Sequence, residues 1–284
     1  MTRITQEHIQ QILAAAQQAS AQIMHVYKTQ LEITKKEDNT PVTNADMASH
    51  KILAESLPQI LDIPLLSEEG EFSLEEVAKW DEFWVVDPLD GTKGFINETD
   101  DFAINIAIVA KGRPVFGMIY VPINQQVYYA AQGQGAFKLD NQKWHPIKVA
   151  EKFQKGSGVN KPTVISSRPS PSVRTQTLCQ EIGDYDYTSM GSAIKFVVLA
   201  EGGAHLYPRF GPSSWWDAAA GQCIVEEAGG AVLDDQLQPL RYDSGDDLLN
   251  TNFIACASQE GLWRDPWLKI NRDMAQAEMK PNKQ

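Results

Sequence analysis

The chain has 284 residues, a formal net charge of −12 and 43% hydrophobic residues, a composition typical of globular proteins with a sizeable core. The acidic balance argues against general nucleic-acid binding, which needs clustered Lys and Arg, and no apolar run approaches the roughly 18–20 residues that span a bilayer. Cys179, Cys223 and Cys256 stand far apart and outside CxxC pairs, so we expect free thiols and a reducing compartment rather than disulfides.

Two helices are predicted near the start of the chain. Apolar residues recur at helical spacing from residue 5 to residue 27, which predicts an amphipathic helix packed on the domain. Residues 33–46 are polar and predict a mobile loop. The next helix should be capped by Thr43 or Asn44. Its buried face is expected to contain Met47, Ile52, Leu53 and Leu57.

An antiparallel meander is predicted to follow, because apolar segments alternate with turn residues. Its strands are expected at residues 83–87, 102–110, 115–121, 127–131 and 136–139.

The second half of the chain changes to an alternating β/α pattern. Helices are expected at residues 192–201 and 217–228, each ended by a Gly-Gly pair. The strands of this half are expected at residues 163–166, 185–188, 204–207, 231–233 and 253–257.

A shift in composition near residues 156–158 predicts two subdomains. Residues 1–157 would form an N-terminal subdomain that carries the metal site, and residues 158–284 a C-terminal subdomain that carries substrate-recognition residues. The segment after Trp267 is polar and is expected to be peripheral.

Four acidic segments lie next to turn or capping residues, at 43–46, 67–70, 87–92 and 216–221. Each alone is more often a solvated turn, a surface pair or a helix cap. Together they offer the carboxylate and carbonyl oxygens that Mg²⁺ prefers. The four segments therefore predict one magnesium site.

The central acidic segment supplies most of this predicted site. Asp87 and Asp90 can face the same ions from one tight turn, with the Leu89 carbonyl between them. Glu68 and Asp217 would close the site from two other segments. Metal-assisted phosphoryl chemistry needs paired carboxylates of this kind.

Further residues are expected to bind a phosphorylated substrate. Lys195 and Arg209 are cations available to such a substrate, unless they only pair with surface acids. The backbone N–H groups of Gly91 and Thr92 are expected to hold phosphate oxygens at the start of a helix or turn. Glycine at position 91 would allow the main chain to approach the phosphate.

The chain resembles the inositol monophosphatase superfamily of magnesium-dependent, lithium-sensitive phosphatases. The resemblance rests on Trp-Val-Val-Asp-Pro-Leu-Asp-Gly-Thr at 84–92 and on Trp-Asp-Ala-Ala-Ala-Gly at 216–221, followed by Glu-Ala-Gly-Gly at 227–230. It implies an α+β or α/β fold, a layered αβαβα sandwich with an antiparallel N-terminal sheet subdomain and a mixed α/β C-terminal subdomain. It also implies two or three Mg²⁺ ions as cofactors.

The resemblance implies a role for each matching residue. The metal ligands would be Glu68, Asp87, the Leu89 carbonyl, Asp90 and Asp217. The catalytic residues would be Asp46, Glu68 and Thr92, which assist the attacking water. The substrate-binding residues would be Glu68, Leu89, Asp90, Gly91, Thr92, Ser192, Lys195, Arg209 and Asp217.

Within the superfamily, the chain is more similar to the bacterial CysQ-type 3′(2′),5′-bisphosphate nucleotidases. Residues 38–46, 91–95, 191–196 and 200–212 carry this similarity. It implies hydrolysis of the 3′-phosphate of adenosine 3′,5′-bisphosphate to AMP and phosphate, in sulfur assimilation and nucleotide recycling. One departure is Pro169-Ser170, where relatives often have Ser-His, so a substrate contact made by that His is lost or replaced.

Two other functions stay open at this point. An inositol-1-phosphate phosphatase would use the same chemistry on another alcohol, and a non-catalytic module of the same fold would bind a partner. We expect a small phosphorylated nucleotide as the ligand, no nucleic-acid partner, and a monomer or homodimer. The expected location is the cytoplasm, with loose attachment to the inner membrane left open.

Overall fold

The computed structural model describes residues 3–29, 32–35, 41–151, 161–168, 171–243 and 247–278. The helices of this part of the chain are α1 Gln6–Val26, α2 Asn44–Ile60, α3 Leu74–Val77, α4 Thr92–Ile96, α5 Val173–Ile182, α6 Ile194–Ala200, α7 Trp215–Glu227 and α8 Arg264–Glu278. The strands are β1 Ile33–Lys35, β2 Pro41–Thr43, β3 Leu65–Ser67, β4 Glu82–Asp90, β5 Ala103–Ala110, β6 Arg113–Val121, β7 Gln126–Ala131, β8 Gly135–Asp140, β9 Lys143–Ile147, β10 Thr163–Ser166, β11 Asp186–Ser189, β12 Leu206–Arg209, β13 Ala231–Leu233 and β14 Phe253–Cys256.

The strands form two large sheets and one short hairpin. The larger sheet has the order β3-β4-β5-β6-β7-β8-β9; it is antiparallel except for the parallel pair β3 and β4. The smaller sheet has the order β11-β10-β12-β14-β13. In that sheet β10, β11 and β12 run parallel, whereas β14 is antiparallel to both of its neighbours. Strands β1 and β2 form the separate hairpin.

Three apolar clusters stack these elements into five layers in the order αβαβα. One cluster joins α1 and α2 to one face of the larger sheet. A second joins the opposite face of that sheet to the smaller sheet through α6 and α7. The third joins the far face of the smaller sheet to α5 and α8. The predicted layered sandwich, with an antiparallel first sheet and a mixed second one, is confirmed.

Burial on both faces explains why almost all residues of β5 are apolar. Its residues Ile104, Ile106 and Ile108 pack in the cluster with α1 and α2. Ala103 and Val109 point the other way and pack in the cluster with α7. Side chains alternate along a strand, so a strand between two helical layers needs apolar residues at both parities.

Helix α7 packs very closely on β6 at Gly117. A Cβ atom at this position would overlap the carbonyl oxygen of Ala220. Only glycine therefore lets the helix backbone lie directly on the strand. Ala220 comes about one helical turn after Asp217, so this contact helps to set the position of the Asp217 carboxylate.

The two N-terminal helices occur where the sequence predicts them, with one error in the buried face. Thr5 caps α1 and Thr43 caps α2, each with a capping box. Leu53 and Leu57 are buried, but Met47 is 48% exposed, because it lies on the outer side of the first turn of α2. The predicted loop at 33–46 contains the strands β1 and β2, and its residues 36–40 lie outside the described residues.

Several other elements differ from the prediction. Strand β4 continues through Asp90, and β3, β9 and α5 are present although none was predicted. The predicted boundary between residues 157 and 158 lies in 152–160, outside the described residues; the two sheets lie on either side of it. The three cysteines are free and buried, as expected. Among the described residues, no helix combines the length and apolar character that crossing a bilayer requires.

The expectation of a peripheral C-terminal tail is wrong. Residues 264–278 form α8, and Trp267 at its first turns is fully buried in the cluster under the smaller sheet. Its indole N–H donates to the Asp234 carbonyl over 3.0 Å, and its ring lies 4.8 Å from that of Phe210. The helix was missed because its face toward solvent is highly polar.

Trp267 should therefore make a large contribution to stability. We expect Trp267→Ala to lower the free energy of unfolding by about 3–5 kcal/mol, because it leaves a large cavity and an unpaired carbonyl. Leu268→Ala is the matched control, since the adjacent Leu268 is 38% exposed and should change stability little. Urea denaturation measures both variants. Equal losses in the two would mean that α8 is not seated through Trp267.

Candidate metal centre and substrate cleft

Three carboxylates meet at one end of the larger sheet. Asp87 and Asp90 lie near the end of β4, and Asp217 lies in the first turn of α7. One oxygen of each lies within 4.8 Å of the others, a grouping that could hold a metal ion. The structure thus brings together three of the four acids that the sequence proposed as metal ligands.

A β-bulge places both β4 carboxylates on the same side. Asp87 pairs with Asn105 and Asp90 pairs with Ala103, so three steps along β4 match two steps along β5. In a regular strand, residues three apart point to opposite faces. The extra residue in the bulge removes this conflict. Pro88 fits here because it needs no ladder N–H, and its carbonyl accepts from the Ser49 hydroxyl over 2.8 Å.

Glu68, the fourth predicted acid, approaches from β3. It follows the last residue of that strand, and its N–H donates to the Val86 carbonyl over 3.1 Å, next to Asp87. Its negative charge is close enough to raise the pKa of Asp87. Glu68 is therefore a neighbour of the group rather than a member of the three-carboxylate cluster.

Burial raises the pKa values of all three clustered carboxylates, and repulsion by neighbouring carboxylates raises those of Asp87 and Asp90 further. Burial raises the pKa of Asp87 well above its usual value, and the charges of Glu68, Asp90 and Asp217 raise it further. Burial and then the charge of Asp217 raise the pKa of Asp90 to about 6. Burial also raises the pKa of Asp217. Without a cation, the fully ionised cluster is therefore costly to maintain at neutral pH.

Neighbouring backbone and side-chain donors fix the orientation of these acids. The Leu89 N–H donates to Asp87 over 3.0 Å, and the Ser214 N–H donates to Asp217 over 2.9 Å. Asp90 accepts from the Ala193 N–H and, over 3.2 Å, from the side-chain amide of Asn105. The remaining carboxylate oxygens stay available to a ligand.

The chemistry of this donor set fits a hard divalent cation. Its ligands are oxygens, it carries excess negative charge, and among the described residues the buried Asn105 Oδ1 has no hydrogen-bond partner. Lys195 is the main opposing charge at Asp90, but burial lowers the pKa of Lys195 to about 8. Lys195 and Arg209, which both act on Asp217, are two cations against three carboxylates with Glu68 nearby, so the cluster keeps excess negative charge.

Thr92 and Asp46 form a hydrogen-bonded pair beside the cluster. The Thr92 hydroxyl lies 3.1 Å from Asp46 Oδ1 and 3.2 Å from the Leu89 carbonyl. Asp46 Oδ2 accepts from the backbone N–H and the hydroxyl of Thr43, at 2.8 and 2.5 Å, as part of the α2 capping box. Burial raises the pKa of Asp46. The α2 N-terminus thereby holds the pair in a fixed geometry.

Gly91 is required by the local backbone. Its φ is 91°, and a Cβ there would lie 2.5 Å from the Asp101 carbonyl oxygen. The glycine therefore allows β4 to turn into α4 against the 97–101 loop. From the sequence we expected glycine at position 91 because the main chain would approach a phosphate. The close contact with Asp101 already requires glycine at this position.

Asp90 and Asp217 line a cleft of about 780 Å³ whose walls come from both halves of the chain. This volume is typical of small-molecule sites. The predicted residues Asp90, Gly91, Ser192, Lys195, Arg209 and Asp217 all line it. Pro169 and Ser170, the departure from the usual Ser-His, lie outside the described residues.

The two predicted substrate cations lie close to the carboxylates. Lys195 is 96% buried, its Nζ donates to the Ser192 carbonyl over 2.5 Å, and it lies 5.2 Å from the centre of the Tyr207 ring. Arg209 donates to the Ser167 hydroxyl over 3.3 Å and to the Pro212 carbonyl over 2.6 Å. Their positive charges lower the pKa of Asp217.

Sequence reasoning missed three polar residues of the site. Asn105 could have been recognised from the sequence, because it is the one polar residue in the otherwise apolar strand β5. Asp101 and Arg168 both line the cleft and form a 3.0 Å ion pair. They are 67 residues apart in the chain, so only the folded structure reveals the pair.

The chain is similar to known proteins over most of its length. The model of the inositol monophosphatase family matches residues 5–270. The 3′(2′),5′-bisphosphate nucleotidase CysQ of Salmonella typhimurium is 40% identical over 248 residues, which cover 86% of this chain and 98% of that protein. The CysQ of Haemophilus influenzae is 32% identical over 269 residues, which cover 93% and 98%. The crystal structure of CysQ from Bacteroides thetaiotaomicron matches with a TM-score of 0.74 and 34% identity, and covers 88% of this chain and 96% of that one.

Removing one clustered carboxylate should stabilise the protein when no divalent cation is present. The pKa of Asp90 is raised to about 6 in the folded state. At pH 7.5 Asp90 is ionised, and its ionisation therefore lowers the free energy of unfolding. We expect Asp90→Asn in EDTA to raise the free energy of unfolding by about 1–2 kcal/mol, and this gain should shrink at pH 5, where folded Asp90 is largely protonated. Magnesium should stabilise the wild type and not the variant. Urea denaturation with and without MgCl₂ measures both effects.

The exposed Asp140 provides the matched control for this experiment. Asp140→Asn should leave the stability in EDTA and the response to magnesium unchanged. If Asp90→Asn destabilises the protein in EDTA or keeps the full response to magnesium, the cluster is not a cation site.

Proposed function

Because the chain belongs to the inositol monophosphatase family, we propose that it is a magnesium-dependent, lithium-sensitive 3′(2′),5′-bisphosphate nucleotidase of the cytoplasm. The proposed reaction removes the 3′-phosphate of adenosine 3′,5′-bisphosphate and yields AMP and phosphate. Relatives that carry this activity in their names, at 32–40% identity, support the choice of substrate.

The observation that carries the proposal is that two of the clustered carboxylates share one cleft with several cationic side chains. Asp90 and Asp217 line the same cleft as Lys93, Arg168 and Lys195, in a chain whose net charge is −12. A strongly acidic protein concentrates cations here, which favours a ligand with several negative charges. A partner-binding module would have no need to keep the repelling acids together.

We assign the metal ligands to Asp87, Asp90 and Asp217, with Glu68 and the Leu89 carbonyl beside them. When bound there, Mg²⁺ would lower the pKa of water, polarise the scissile phosphate and stabilise the departing oxygen. The raised pKa values of the carboxylates support this assignment, since a cation relieves the repulsion that raises them.

Thr92 and Asp46 would orient the attacking water. When the Thr92 hydroxyl donates to Asp46, its oxygen can still accept a hydrogen bond from the water and so orient it. The water oxygen then attacks phosphorus in line, the bond from phosphorus to the ribose 3′-oxygen breaks, and that oxygen leaves with a proton. Glu68 would be a second acceptor for the water. Gly91 and Thr92 would offer backbone N–H groups to the non-bridging oxygens.

Ser192, Lys195 and Arg209 would bind the nucleotide beside the scissile phosphate. Arg209 ends β12, and its Nε is buried without a hydrogen-bond partner among the described residues. A phosphate or ribose oxygen in the cleft would supply that missing acceptor. Lys195 would add charge at the same end of the cleft.

A substrate panel tests the proposed activity. With MgCl₂, we expect phosphate release from adenosine 3′,5′-bisphosphate at a higher kcat/KM than from inositol 1-phosphate, and we expect EDTA to abolish it and LiCl to inhibit it. The measurement is inorganic phosphate released over time. Preference for inositol 1-phosphate would support the inositol phosphatase instead, and no release from any phosphate ester would support a non-catalytic module.

Thr92→Ala tests the water-orienting role. We expect a fall in kcat of about 100-fold with a much smaller change in KM, because the hydroxyl acts on the water rather than on the bound substrate. Thr177→Ala is the matched control, since Thr177 is exposed on α5. A variant that loses affinity at unchanged kcat would show that Thr92 only binds substrate.

A further inference from the structure

We propose that Arg168 binds the second phosphate of the substrate and that Asp101 holds Arg168 in position in the absence of substrate. This inference rests on the proposed function and adds to it a residue that selects substrates with two phosphates. The phosphate concerned is the 5′-phosphate, which remains on the product AMP.

The topology of the smaller sheet brings Arg168 to the cleft. Strands β10, β11 and β12 are parallel, so their carboxyl ends lie at the same edge of the sheet. Ligands in open sheets with parallel strands bind outside this edge. The edge presents Arg168 two residues after β10, Ser189 at the end of β11 and Arg209 at the end of β12, and all three line the cleft.

The contacts that Arg168 makes with Asp101 and Ser189 are weak enough for a phosphate to replace them. Its Nη1 lies 3.0 Å from the Asp101 carboxylate, and its Nε donates to the Ser189 carbonyl over 3.4 Å, a long bond. The Arg168 side chain is 46% exposed, whereas that of Asp101 is only 12% exposed. A partly exposed ion pair contributes little stability, so an incoming phosphate can replace the carboxylate as the partner of the guanidinium. A guanidinium can bind phosphate through two parallel N–H bonds.

Asp101 does not depend on Arg168 alone for its position. The Asp101 Oδ2 atom that contacts Arg168 also accepts the Gly191 N–H over 3.0 Å. Gly191 lies two residues before Ala193, whose N–H donates to Asp90. Asp101 can therefore keep its place at the cleft wall when Arg168 turns to a ligand. The pair gives Arg168 a defined starting position and limits the side-chain entropy lost on binding.

The other cations of the cleft leave room for this role. Lys195 and Arg209 act at the carboxylate end of the cleft, because the charge of Lys195 acts on Asp90 and the charges of both act on Asp217. Lys93 is exposed on the short helix α4 and offers only a point charge. A nucleotide with a single phosphate at the carboxylate end would gain nothing from Arg168.

The test compares two substrates that differ only in the second phosphate. We expect Arg168→Gln to lower kcat/KM for adenosine 3′,5′-bisphosphate by about 10-fold or more, chiefly through KM, and to lower kcat/KM for adenosine 3′-phosphate far less. Inhibition by AMP should weaken by a similar factor, while inhibition by adenosine should not. Arg168→Lys should recover part of the loss. The matched control is Arg174→Gln on α5, which should leave all constants unchanged.

Two failures can be told apart. If the wild type does not prefer the bisphosphate over adenosine 3′-phosphate, the proposed function is wrong. If the wild type has this preference and Arg168→Gln keeps it, or loses activity equally on both substrates, then only the role of Arg168 is wrong. Circular dichroism and the melting temperature show whether each variant is folded.

Discussion

The structure depends on holding three like charges close together at the inner end of a cleft. Asp87, Asp90 and Asp217 come from a strand and a helix that belong to different layers; burial raises the pKa values of all three, and repulsion raises those of Asp87 and Asp90 further. Hydrophobic packing of the β4 and α7 layers supplies the free energy that opposes this repulsion. A fold with three apolar interfaces can tolerate such a site because the site occupies only one edge of the middle one.

The cleft is closed by backbone donors as much as by side chains. Asp90 and Asp101 both belong to the first sheet region, and both accept N–H groups from the turn before α6, at Ala193 and Gly191. These two bonds join carboxylates of the N-terminal half of the chain to the C-terminal wall of the cleft. Asp90 and Asp101 therefore link the two halves of the chain, in addition to the roles proposed for them in ligand binding.

The sequence predicted the larger elements and the acidic residues of the site, for physical reasons that are local. The capping boxes at Thr5 and Thr43 and the apolar segments of β5 to β7 are readable because their signals lie within a few residues. The bulge at Asp87–Asp90 was not readable, since register depends on the partner strand. The burial of Trp267 and the pairing of Asp101 with Arg168 were missed because both depend on contacts that are distant in sequence.

The backbone contact between Gly117 and Ala220 has a further consequence for ion choice. Mg²⁺ demands a smaller and more rigid set of oxygens than Ca²⁺ does. The reach from Asp217 to the strand acids is fixed by how deeply the helix sits on β6, and a residue with no side chain sets that depth. At the proposed magnesium site, selection of a small ion over a large one would therefore depend partly on a buried glycine that does not contact the ion, and a methyl group there would push the helix away from the strand.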